Sequence, residues 1–276
     1  MTKKTRYAVK QREKKEQEKK DFTFFYQHQS LIPQKKFWSH CHSGYEIIFF
    51  ISGSGTYQIE ERTYLLKKYD LIITRPGNYH NIDINTNEMY DRYDILVNSS
   101  PQLTPLLDSL LEKFEVINCT DNPNIINCFK KMDSYKKHLP EDDFNLILNN
   151  LLIEVCYNLV INESLVHQEY IPTSKLIEKA LEYINKNLFT IKDVKEVCDY
   201  IFISENHFFR LFKQEMKISP KKYITSKRLL YAQKLLQNGE HPTEIYEKCG
   251  FNNYISFYQR YVDFFGYSPS EEKIKD

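Results

Sequence analysis

The chain has 276 residues, of which 41% are hydrophobic and 27% are charged, and its formal net charge is +1. This length allows one large domain or two ordinary ones, and the composition is that of a soluble globular protein. No apolar run approaches the roughly 20 residues that cross a bilayer, which argues against an integral membrane protein. The N-terminus has no apolar core of the kind a secretory signal needs, so we expect a cytoplasmic protein.

Charge is distributed unevenly along the chain. Residues 1–20 carry nine Lys/Arg against three Asp/Glu, residues 21–170 carry twelve against twenty, and residues 171–276 carry seventeen against fourteen. Within the last segment, residues 204–234 hold eight basic and two acidic side chains. Basic surfaces attract the phosphates of nucleic acid and acidic surfaces repel them. We therefore expect nucleic-acid binding at the ends of the chain and not in its middle.

The first feature in chain order is a polar tail followed by a strand-rich segment. Residues 1–21 are rich in Lys, Glu and Gln and lack a hydrophobic periodicity, so we expect a mobile basic tail. From about 36 to 97 the strand-like runs are EIIFFIS, TYQIE, TYLL, DLIIT and YDILV, with GSG and PGN as turns. Several short strands without intervening helices predict an antiparallel barrel or sandwich.

The run HCHSGYE at residues 40–46 brings two histidines and a carboxylate close together. On a strand, side chains at i and i+2 share a face, so His40 and His42 are predicted to face one cavity, with Glu46 beside them if the strand continues. Imidazoles and a carboxylate form a common ligand set for zinc, iron or manganese. A hydrogen-bonded polar rim is the second interpretation, and these residues alone leave both open.

Three amphipathic helices are predicted after this segment, at about 106–114, 124–138 and 143–160. The third has an apolar face made of Phe144, Ile147, Leu148, Leu151, Leu152, Val155 and Leu159. Such a stripe must be buried against something. Packing on the barrel and a dimer seam are both open interpretations, because one helix can do both.

The last third of the chain is helical in pattern. Thr190 and Asp193 in TIKD resemble a capping box, and Ser204 is a predicted helix N-cap. Ser219, followed by proline, is predicted to begin a longer helix that stops at Gly239.

A short helix, a tight turn and a second helix occur twice, at 190–216 and 242–265, joined by the helix at 219–238. This is the order of two helix-turn-helix units, whose second helices can enter major grooves about 34 Å apart. In the first of these helices the inner face is Phe208, Leu211 and Phe212, and the outer face is Asn206, Phe209, Arg210 and Lys213. Asn can hydrogen-bond adenine, Arg can hydrogen-bond guanine, and Lys can bind phosphate. Phe209 has two interpretations, contact with a thymine methyl group and partial burial against a neighbouring turn.

The second helix-turn-helix unit is less suited to DNA. In NNYISFYQRYVDFF, Phe257 and Tyr261 are predicted to face inward, and the candidates for the DNA side are Tyr254, Ser256, Tyr258 and Gln259. Residues 240–276 carry four Lys/Arg against seven Asp/Glu. We expect this unit to bind DNA more weakly than the first.

The C-terminal residues resemble the AraC/XylS family of bacterial transcription regulators. The resemblance covers the last third of the chain and is specific in order and spacing. The matching positions are Ser204, Phe208, Arg210, Leu211, Phe212, Lys213, Ser219, Pro220, Tyr223, Arg228, Leu229, Ala232, Leu235, Leu236, Ile245, Gly250, Phe251, Phe257, Gly266, Ser268 and Pro269. It implies a tandem helix-turn-helix domain in a regulator, and activation is the commoner outcome in that family.

Four positions depart from the family's pattern. Lys217 stands where a helix-ending glycine is usual, so the turn there must tolerate a side chain. Tyr246 replaces a small residue that lets the second helix pair pack closely. Gln259 and Val262 stand where Arg and Lys are common, which again weakens the expected DNA contact of the second unit.

The N-terminal half resembles the sensor of the same family, a cupin barrel. The matches to the two cupin motifs are His40, His42, Glu46 and Gly53, then Pro76, Gly77 and His80. In cupin enzymes the positions of His40, His42, Glu46 and His80 bind a metal, whereas the family's regulators often use the barrel mouth for a small effector. The resemblance implies effector binding at these four residues without a metal or other cofactor. If a metal is held, these four are its ligands.

The predicted fold class is α+β: an N-terminal cupin-like β-barrel with helices, followed by an all-α DNA-binding domain with two helix-turn-helix units. The predicted boundaries are 1–21 for the tail, 22–165 for the sensor and dimerisation domain, and 172–276 for the DNA-binding domain. The predicted DNA-binding residues are Ser204, Asn206, His207, Phe209, Arg210, Lys213, Tyr254, Ser256 and Gln259.

These features predict a sequence-specific transcription regulator that is not an enzyme and, by resemblance, an activator. Its expected partners are double-stranded promoter DNA, an unidentified small-molecule effector, RNA polymerase and a second copy of the chain. We expect no association with a membrane. A metal-dependent cupin enzyme with a helical appendage is the alternative from another class.

Overall fold

A computed structural model describes residues 20–29, 35–36, 39–84, 90–162 and 168–272. These residues form two compact units, 20–172 and 173–272. The predicted basic tail lies outside the described residues except for Lys20 and Asp21. Lys20 Nζ lies 2.7 Å from Glu141 Oε1, and the Asp21 carbonyl accepts a hydrogen bond from the Asn98 amide at 2.8 Å. The first unit therefore includes these two residues.

The described part of the first unit is built on ten strands. They are β1 (Phe22–Gln29), β2 (Lys35–Lys36), β3 (Tyr45–Ser52), β4 (Gly55–Ile59), β5 (Arg62–Leu65), β6 (Asp70–Thr74), β7 (His80–Ile84), β8 (Tyr90–Val97), β9 (Val116–Asn118) and β10 (Ile171–Pro172). They form two five-stranded antiparallel sheets in the orders β1-β8-β3-β6-β9 and β10-β5-β4-β7-β2. The five predicted strand-like runs all lie in strands, and the predicted α+β class with a cupin-like barrel is confirmed.

β3 shows why the central strands are apolar throughout. Ile48 and Phe50 pack in a core cluster with Tyr57 of β4. Ile47 and Phe49 belong to a different cluster, which contains the helices of this unit. Successive side chains of a strand point to opposite faces, and here both faces are buried. Burial of both faces explains why the run EIIFFIS is apolar at almost every position and does not alternate.

Three helices cover the outer face of the first sheet, close to the predicted ranges. They are α1 (Leu103–Leu111), α2 (Pro123–His138) and α3 (Glu141–Ile161). The residues that α3 buries are Phe144, Leu148, Leu151, Leu152, Val155, Cys156 and Leu159. α3 is long and apolar enough to cross a membrane, contrary to the expectation that no run approaches that length. One face of α3 is nevertheless packed in the core of this unit, as in a helix of a globular domain.

The second unit is helical in its described residues, apart from connecting turns. Its helices are α4 (Lys175–Lys186), α5 (Val194–Ile201), α6 (Glu205–Met216), α7 (Pro220–Gln237), α8 (Pro242–Lys248) and α9 (Tyr254–Phe265), followed by a 3-10 turn at Pro269–Glu271. Two short helix pairs, α5–α6 and α8–α9, are joined by the long α7. This is the predicted tandem helix-turn-helix order.

The predicted N-caps of α6 and α7 are confirmed, and the predicted capping box at Thr190 is wrong. The hydroxyl oxygens of Ser204 and Ser219 accept hydrogen bonds from the first turns of their helices. The capping box before α5 consists of Asp193 and Glu196, three residues later than predicted. Thr190 instead donates its hydroxyl to the Asn187 carbonyl at 3.1 Å and so closes the preceding turn.

Candidate nucleic-acid interface and sensor site

Aromatic packing fixes the inner side of α6. Phe208 and Phe212 are fully buried, with ring centroids 5.4 Å apart, and Phe212 lies 5.6 Å from Tyr223 of α7. Leu211, which the sequence places in the core, is only partly buried. The helix ends at Lys217 in the left-handed region, with φ 58°. The turn therefore does tolerate a side chain where the family resemblance implies glycine.

The outer face of α6 is polar and cationic. It carries the exposed side chains of Asn206, His207, Arg210 and Lys213, and the other exposed side chains of the helix are Glu205 and Gln214. Phe209 is partly buried, and the Lys221 ammonium group lies 5.9 Å from the centroid of its ring. Ser204 is exposed, but its hydroxyl accepts the capping hydrogen bond from the His207 amide at 3.4 Å. Ser204 thus has a structural role in starting the helix.

The second helix pair has a larger aromatic component. Phe257, Tyr261 and Phe265 are the buried residues of α9. Tyr254 is partly buried, and its ring centroid lies 6.1 Å from those of Tyr246 and Phe257. Tyr246, which replaces a small residue of the family, is therefore accommodated by ring packing. Tyr254 is part of this packed cluster, so it presents less of its ring to a ligand than the sequence analysis expected.

The remaining candidates on α9 differ in exposure. Gln259 and Tyr258 are exposed, whereas Ser256 is partly buried. The Ser256 hydroxyl accepts a hydrogen bond from Arg260 Nε at 3.4 Å. Arg260 is exposed and was missed by the sequence analysis, although its place one helical turn after Ser256 is the available signal. The exposed polar surface of α9 therefore centres on Gln259 and Arg260.

Arg228 of α7 ties the two helix pairs together. Its guanidinium group donates hydrogen bonds to the carbonyl oxygens of Leu188 at 2.8 Å, Ile191 at 2.5 Å and Gly250 at 2.7 Å. The sequence analysis counted Arg228 in the basic segment 204–234, but its charge is used inside the domain. Gly250 has a φ of +78°, and a Cβ there would lie 2.8 Å from Arg228 Cζ. Position 250 thus requires a glycine, because the Arg228 guanidinium group packs directly against it.

A basic cleft of about 460 Å³ lies beside Arg228. Its lining includes Lys192 before α5, Lys221 and Lys222 in the first turn of α7, and Arg260 of α9, together with one acidic residue, Asp193. Helix N-termini add a partial positive charge to these four cations. The cleft has the chemistry of a binding site for a DNA phosphate group.

The four sensor residues meet where two segments of the barrel pair. His40 and His80 form an isolated antiparallel bridge, with backbone hydrogen bonds of 3.1 and 2.9 Å in the two directions. β3 begins at Tyr45, so the strand that holds Glu46 does not extend back to His40 and His42. The chain bends between them, and Gly44 packs so closely that a Cβ would lie 2.8 Å from the Val97 carbonyl oxygen. His40 and His42 lie before this bend and Glu46 lies after it, and the three side chains meet in one cluster with His80.

The side-chain atoms of this cluster are within ligand distance of one another. His40 Nε2 lies 3.2 Å from His80 Nε2, and His80 Nε2 lies 3.3 Å from Glu46 Oε2. His42 Nε2 lies 4.0 Å from Glu46 Oε1. Glu46 and His80 are buried, His42 is partly buried, and His40 is exposed. The cluster therefore extends from the barrel interior to the solvent.

Hydrogen bonds orient two of the imidazoles. The Nδ1 atoms of His42 and His80 each lie 2.9 Å from a backbone carbonyl oxygen, that of Gly44 and that of Asn78 respectively. A carbonyl oxygen can only accept, so both Nδ1 atoms donate and both Nε2 atoms face the cluster. Burial lowers the pKa of His80 to about 3. Burial therefore favours the neutral form of the His80 imidazole, while the Glu46 carboxylate opposes this effect.

A buried polar network continues below Glu46. Burial opposes ionisation of Glu46, but the three imidazoles and the Tyr57 hydroxyl outweigh it and lower its pKa to about 2. Tyr57 donates to Glu46 Oε2 at 2.5 Å. Asp94 lies beyond, and burial together with the Glu46 charge raises its pKa to about 7, against the opposing effect of Arg92. Tyr57, Asp94 and Arg92 were not among the predicted site residues, because strand alternation alone does not show which barrel residues meet inside.

These two units define a class of protein: a sensor barrel joined to a tandem helix-turn-helix module, as in ligand-responsive transcription regulators. Comparison with protein families supports both halves. An AraC-like ligand binding domain matches residues 25–132, and a helix-turn-helix domain matches residues 197–273. The chain belongs to the AraC/XylS family of transcription regulators, as its sequence resemblance indicated. It combines a DNA-binding domain with a small-molecule-sensing domain.

Individual relatives are distant. The probable transcriptional regulator LumQ of Photobacterium leiognathi is 33% identical over 89 residues, which is 32% of this chain and 36% of that protein. The lactose operon transcription activator of Staphylococcus xylosus is 22% identical over 79% of this chain and 80% of its own length. The transcriptional activator RhaS of Escherichia coli is 20% identical over 87% of this chain and 88% of its own length. The solved structure of ToxT from Vibrio cholerae O395 aligns over 92% of this chain and 97% of its own, with 15% identity and a TM-score of 0.38.

Proposed function

We propose that this regulator is an activator that works as a homodimer, binds promoter DNA mainly through α6 and contacts RNA polymerase. The Staphylococcus xylosus and Escherichia coli relatives, whose similarity extends over most of their length, are named as activators, which supports activation. We place the protein in the cytoplasm with its DNA. We assign it no catalytic reaction, in keeping with relatives that are transcription regulators.

The outer face of α6 is the observation that carries the proposal. Asn206 and Arg210 are one helical turn apart and exposed, while Phe208 and Phe212 hold the helix from behind. An exposed Asn and Arg at this spacing suit the hydrogen-bonding edges of adenine and guanine in a major groove. The basic cleft beside Arg228 supplies phosphate contacts that fix the register of the helix on the duplex.

The exposed side of α3 supports a dimer. Leu146, Ile153 and Val160 are seven residues apart, and Asn150 and Tyr157 occupy the intermediate heptad position. Ile153 is partly buried against the core of the same unit, so only part of its side chain faces outward. Leu146 is 65% exposed and Val160 is 46% exposed. Apolar residues at two heptad positions form a coiled-coil seam, and an Asn at one of them fixes the register. We propose that this seam pairs with the same seam of a second copy.

We propose that the barrel binds its effector at His40, His42, Glu46 and His80. The cluster reaches from the buried Glu46 to the exposed His40, so a polar molecule at the barrel mouth meets both donors and acceptors. An effector changes DNA binding only if it binds two states of the protein with unequal affinity. An effector-dependent change in operator affinity is the measurement that checks this assignment.

Selection of bound DNA from a random duplex pool tests the DNA-binding proposal. The purified full chain is used with and without a small-molecule extract of cells. We expect recovery of a defined sequence, a steep loss of affinity as salt is raised, and a change in affinity with extract. Recovery of random sequence, or no binding at low salt, contradicts the proposal.

The dimer is tested by changing the exposed seam. Leu146→Glu places a charge in the seam without disturbing the buried face of α3, so we expect the dimer to dissociate to monomers in light-scattering measurements. Leu65→Glu is the matched control, because Leu65 is 56% exposed on β5, away from the seam. A wild-type monomer, or a dimer unaffected by Leu146→Glu, contradicts the assignment.

A further inference from the structure

We propose that Phe202, in the turn between α5 and α6, packs its ring against the wall of the DNA major groove and contacts a thymine methyl group there. The inference deepens the proposed function and rests on it, because it requires α6 to lie in that groove. It adds an apolar contact to the polar and cationic contacts of α6. Three features of Phe202 carry it: the exposure of its ring, the conformation of its backbone and its place before α6.

The Phe202 side chain is left in solvent. It is 92% exposed, which makes it the most exposed large hydrophobic residue in the part of the chain that the structure describes. Phenylalanine side chains are normally buried and then stabilise a fold strongly. A single exposed apolar side chain is ordinary on a protein surface, but here the exposure coincides with an unfavourable backbone conformation. The second unit therefore gains almost nothing from the ring.

The backbone of Phe202 is left-handed, with φ 58° and ψ 43°. This conformation ends α5, because the amides of Phe202 and Ile203 both donate hydrogen bonds to the Cys198 carbonyl oxygen, the second at 3.1 Å. Helices commonly end in this way, usually with a glycine, since a Cβ atom disfavours the left-handed region. A glycine would form the same turn with less strain, so the turn does not account for an aromatic side chain at position 202.

Three other non-glycine residues in the described ranges have a positive φ, and each has a side-chain contact within the protein. The Glu60 carboxylate accepts a hydrogen bond from the Tyr79 amide at 2.9 Å, the Tyr69 and Phe49 ring centroids lie 5.8 Å apart, and Lys217 Nζ donates to the Gln214 carbonyl at 2.7 Å. Phe202 differs from these three, because its ring is almost wholly exposed. Strained positions of this kind cluster at sites of function.

Helix-turn-helix geometry places Phe202 beside the duplex. In such units the first helix crosses the sugar–phosphate backbone, and the N-terminal residues of the second helix meet the base edges. The turn between α5 and α6 therefore lies at the wall of the groove, between backbone and bases. Phe202 precedes the N-cap Ser204 by two residues, and the exposed Glu205, Asn206 and His207 follow directly. The ring is thus continuous with the exposed face that carries Asn206.

The chemistry of the groove selects the partner of the ring. The thymine C5-methyl group is the apolar group that the base edges present in the major groove, and phenylalanine is one of the residues that contact it. An uncharged ring releases no counterions from DNA, so this contact adds affinity without changing the salt dependence of binding. Phe202 is therefore expected to confer a preference for thymine at one position next to the bases read by α6.

Two substitutions separate the ring from the backbone strain. Phe202→Ala removes the ring and keeps a Cβ atom in the left-handed region, whereas Phe202→Gly removes both. We expect each variant to bind the selected duplex about tenfold more weakly, with an unchanged slope of log affinity against log salt. Phe202→Gly should also unfold at a higher temperature than Phe202→Ala. Phe25→Ala, at an exposed phenylalanine of β1, is the matched control and should bind as wild type does.

Removal of single methyl groups from the DNA locates the contact. Each thymine of the selected duplex is replaced in turn by deoxyuridine, which keeps the hydrogen-bonding edge and lacks only the methyl group. We expect one position at which wild type loses affinity and Phe202→Ala loses none, because the ring and the methyl group act as a pair. Equal losses for the two proteins at every position overturn the proposal, as does equal affinity of Phe202→Ala, Phe25→Ala and wild type for the unmodified duplex.

The same titrations separate this proposal from the proposed function. Specific binding that is weakened by Arg210→Ala and kept by both Phe202 variants overturns the Phe202 contact and leaves α6 as the base reader. A lack of specific binding by wild type overturns both. Wild-type DNA affinity of the Phe202 variants, together with altered transcription by purified RNA polymerase, assigns the ring to a protein partner and also overturns the proposal.

Discussion

The two helix pairs of the second unit have the same architecture and different surfaces. α6 presents Asn206, Arg210 and Lys213 to solvent, and the Lys221 ammonium group of α7 lies 5.9 Å from the centroid of the Phe209 ring. α9 presents Tyr258, Gln259 and Arg260, next to a partly buried ring cluster. Residues 204–234 hold eight basic and two acidic side chains, whereas residues 240–276 hold four and seven.

The same backbone arrangement in the two helix pairs therefore carries surfaces of different charge and polarity. The inner faces of both helices are built alike, from Phe208 and Phe212 in one and Phe257 and Tyr261 in the other. Burial of these rings fixes the helices, but the exposed residues decide what each helix can bind. We infer that α6 reads bases and that α9 contributes mainly through Arg260 and the basic cleft.

The largest expected effect is on the free energy of unfolding, when Arg228, which connects the two helix pairs by hydrogen bonds, is replaced. Arg228→Ala removes three hydrogen bonds and leaves the carbonyls of Leu188, Ile191 and Gly250 without this donor, so we expect the free energy of unfolding to fall by about 3 kcal/mol. Urea unfolding followed by circular dichroism measures this. Lys234→Ala, an exposed change on the same helix, is the control. Equal free energies of unfolding for the two variants would show that Arg228 does not stabilise the arrangement of the two helix pairs.

The next effect is on base recognition. Arg210→Ala should weaken specific DNA binding by about 1–3 kcal/mol and relax the preference at one base pair. The measurement is a titration of the selected duplex and of its single-base variants. Binding as tight and as selective as that of the wild type would exclude α6 from the groove.

Lys213→Ala separates phosphate contact from base contact on the same helix. Its affinity should fall uniformly across sequences, and the slope of log affinity against log salt should shrink by about one. Titrations at several salt concentrations on specific and random duplexes check this. A loss confined to one sequence would instead make Lys213 a base-reading residue.

The smallest effect is expected on α9. Gln259→Ala should cost less than Arg210→Ala, by our estimate under about 1 kcal/mol, because the net negative charge of residues 240–276 weakens this side of the interface. The same duplex titration measures it. A loss larger than that of Arg210→Ala reverses the ranking of the two helix pairs.

Much of the fold follows from sequence pattern. EIIFFIS predicted a strand, and the stripe from Phe144 to Leu159 predicted a buried helix, because the periods of strands and helices are fixed by backbone geometry. Ser204 and Ser219 were recognisable as N-caps for the same local reason. The eight-residue strand β1 was not predicted, and neither were the short strands β2, β7, β9 and β10. The pairing of such short strands is set by tertiary contacts and not by local composition.

The sites were predicted in part. Spacing along α6 separated exposed from buried residues correctly, apart from Leu211 and the partly buried Phe209. Arg228 was counted as a surface charge, because sequence does not show which cation is folded inward against carbonyl groups. His80 was joined to His40 and His42 only through the family resemblance, since the backbone bridge that brings them together spans forty residues of chain.

The most direct test of the account is DNA selection carried out in parallel on wild type, Arg210→Ala and Gln259→Ala. We expect a selected site in which Arg210→Ala erases the preference at one position, while Gln259→Ala leaves the selected sequence nearly unchanged. A selected site that is unaffected by Arg210→Ala and altered by Gln259→Ala would contradict the assignment of base reading to α6.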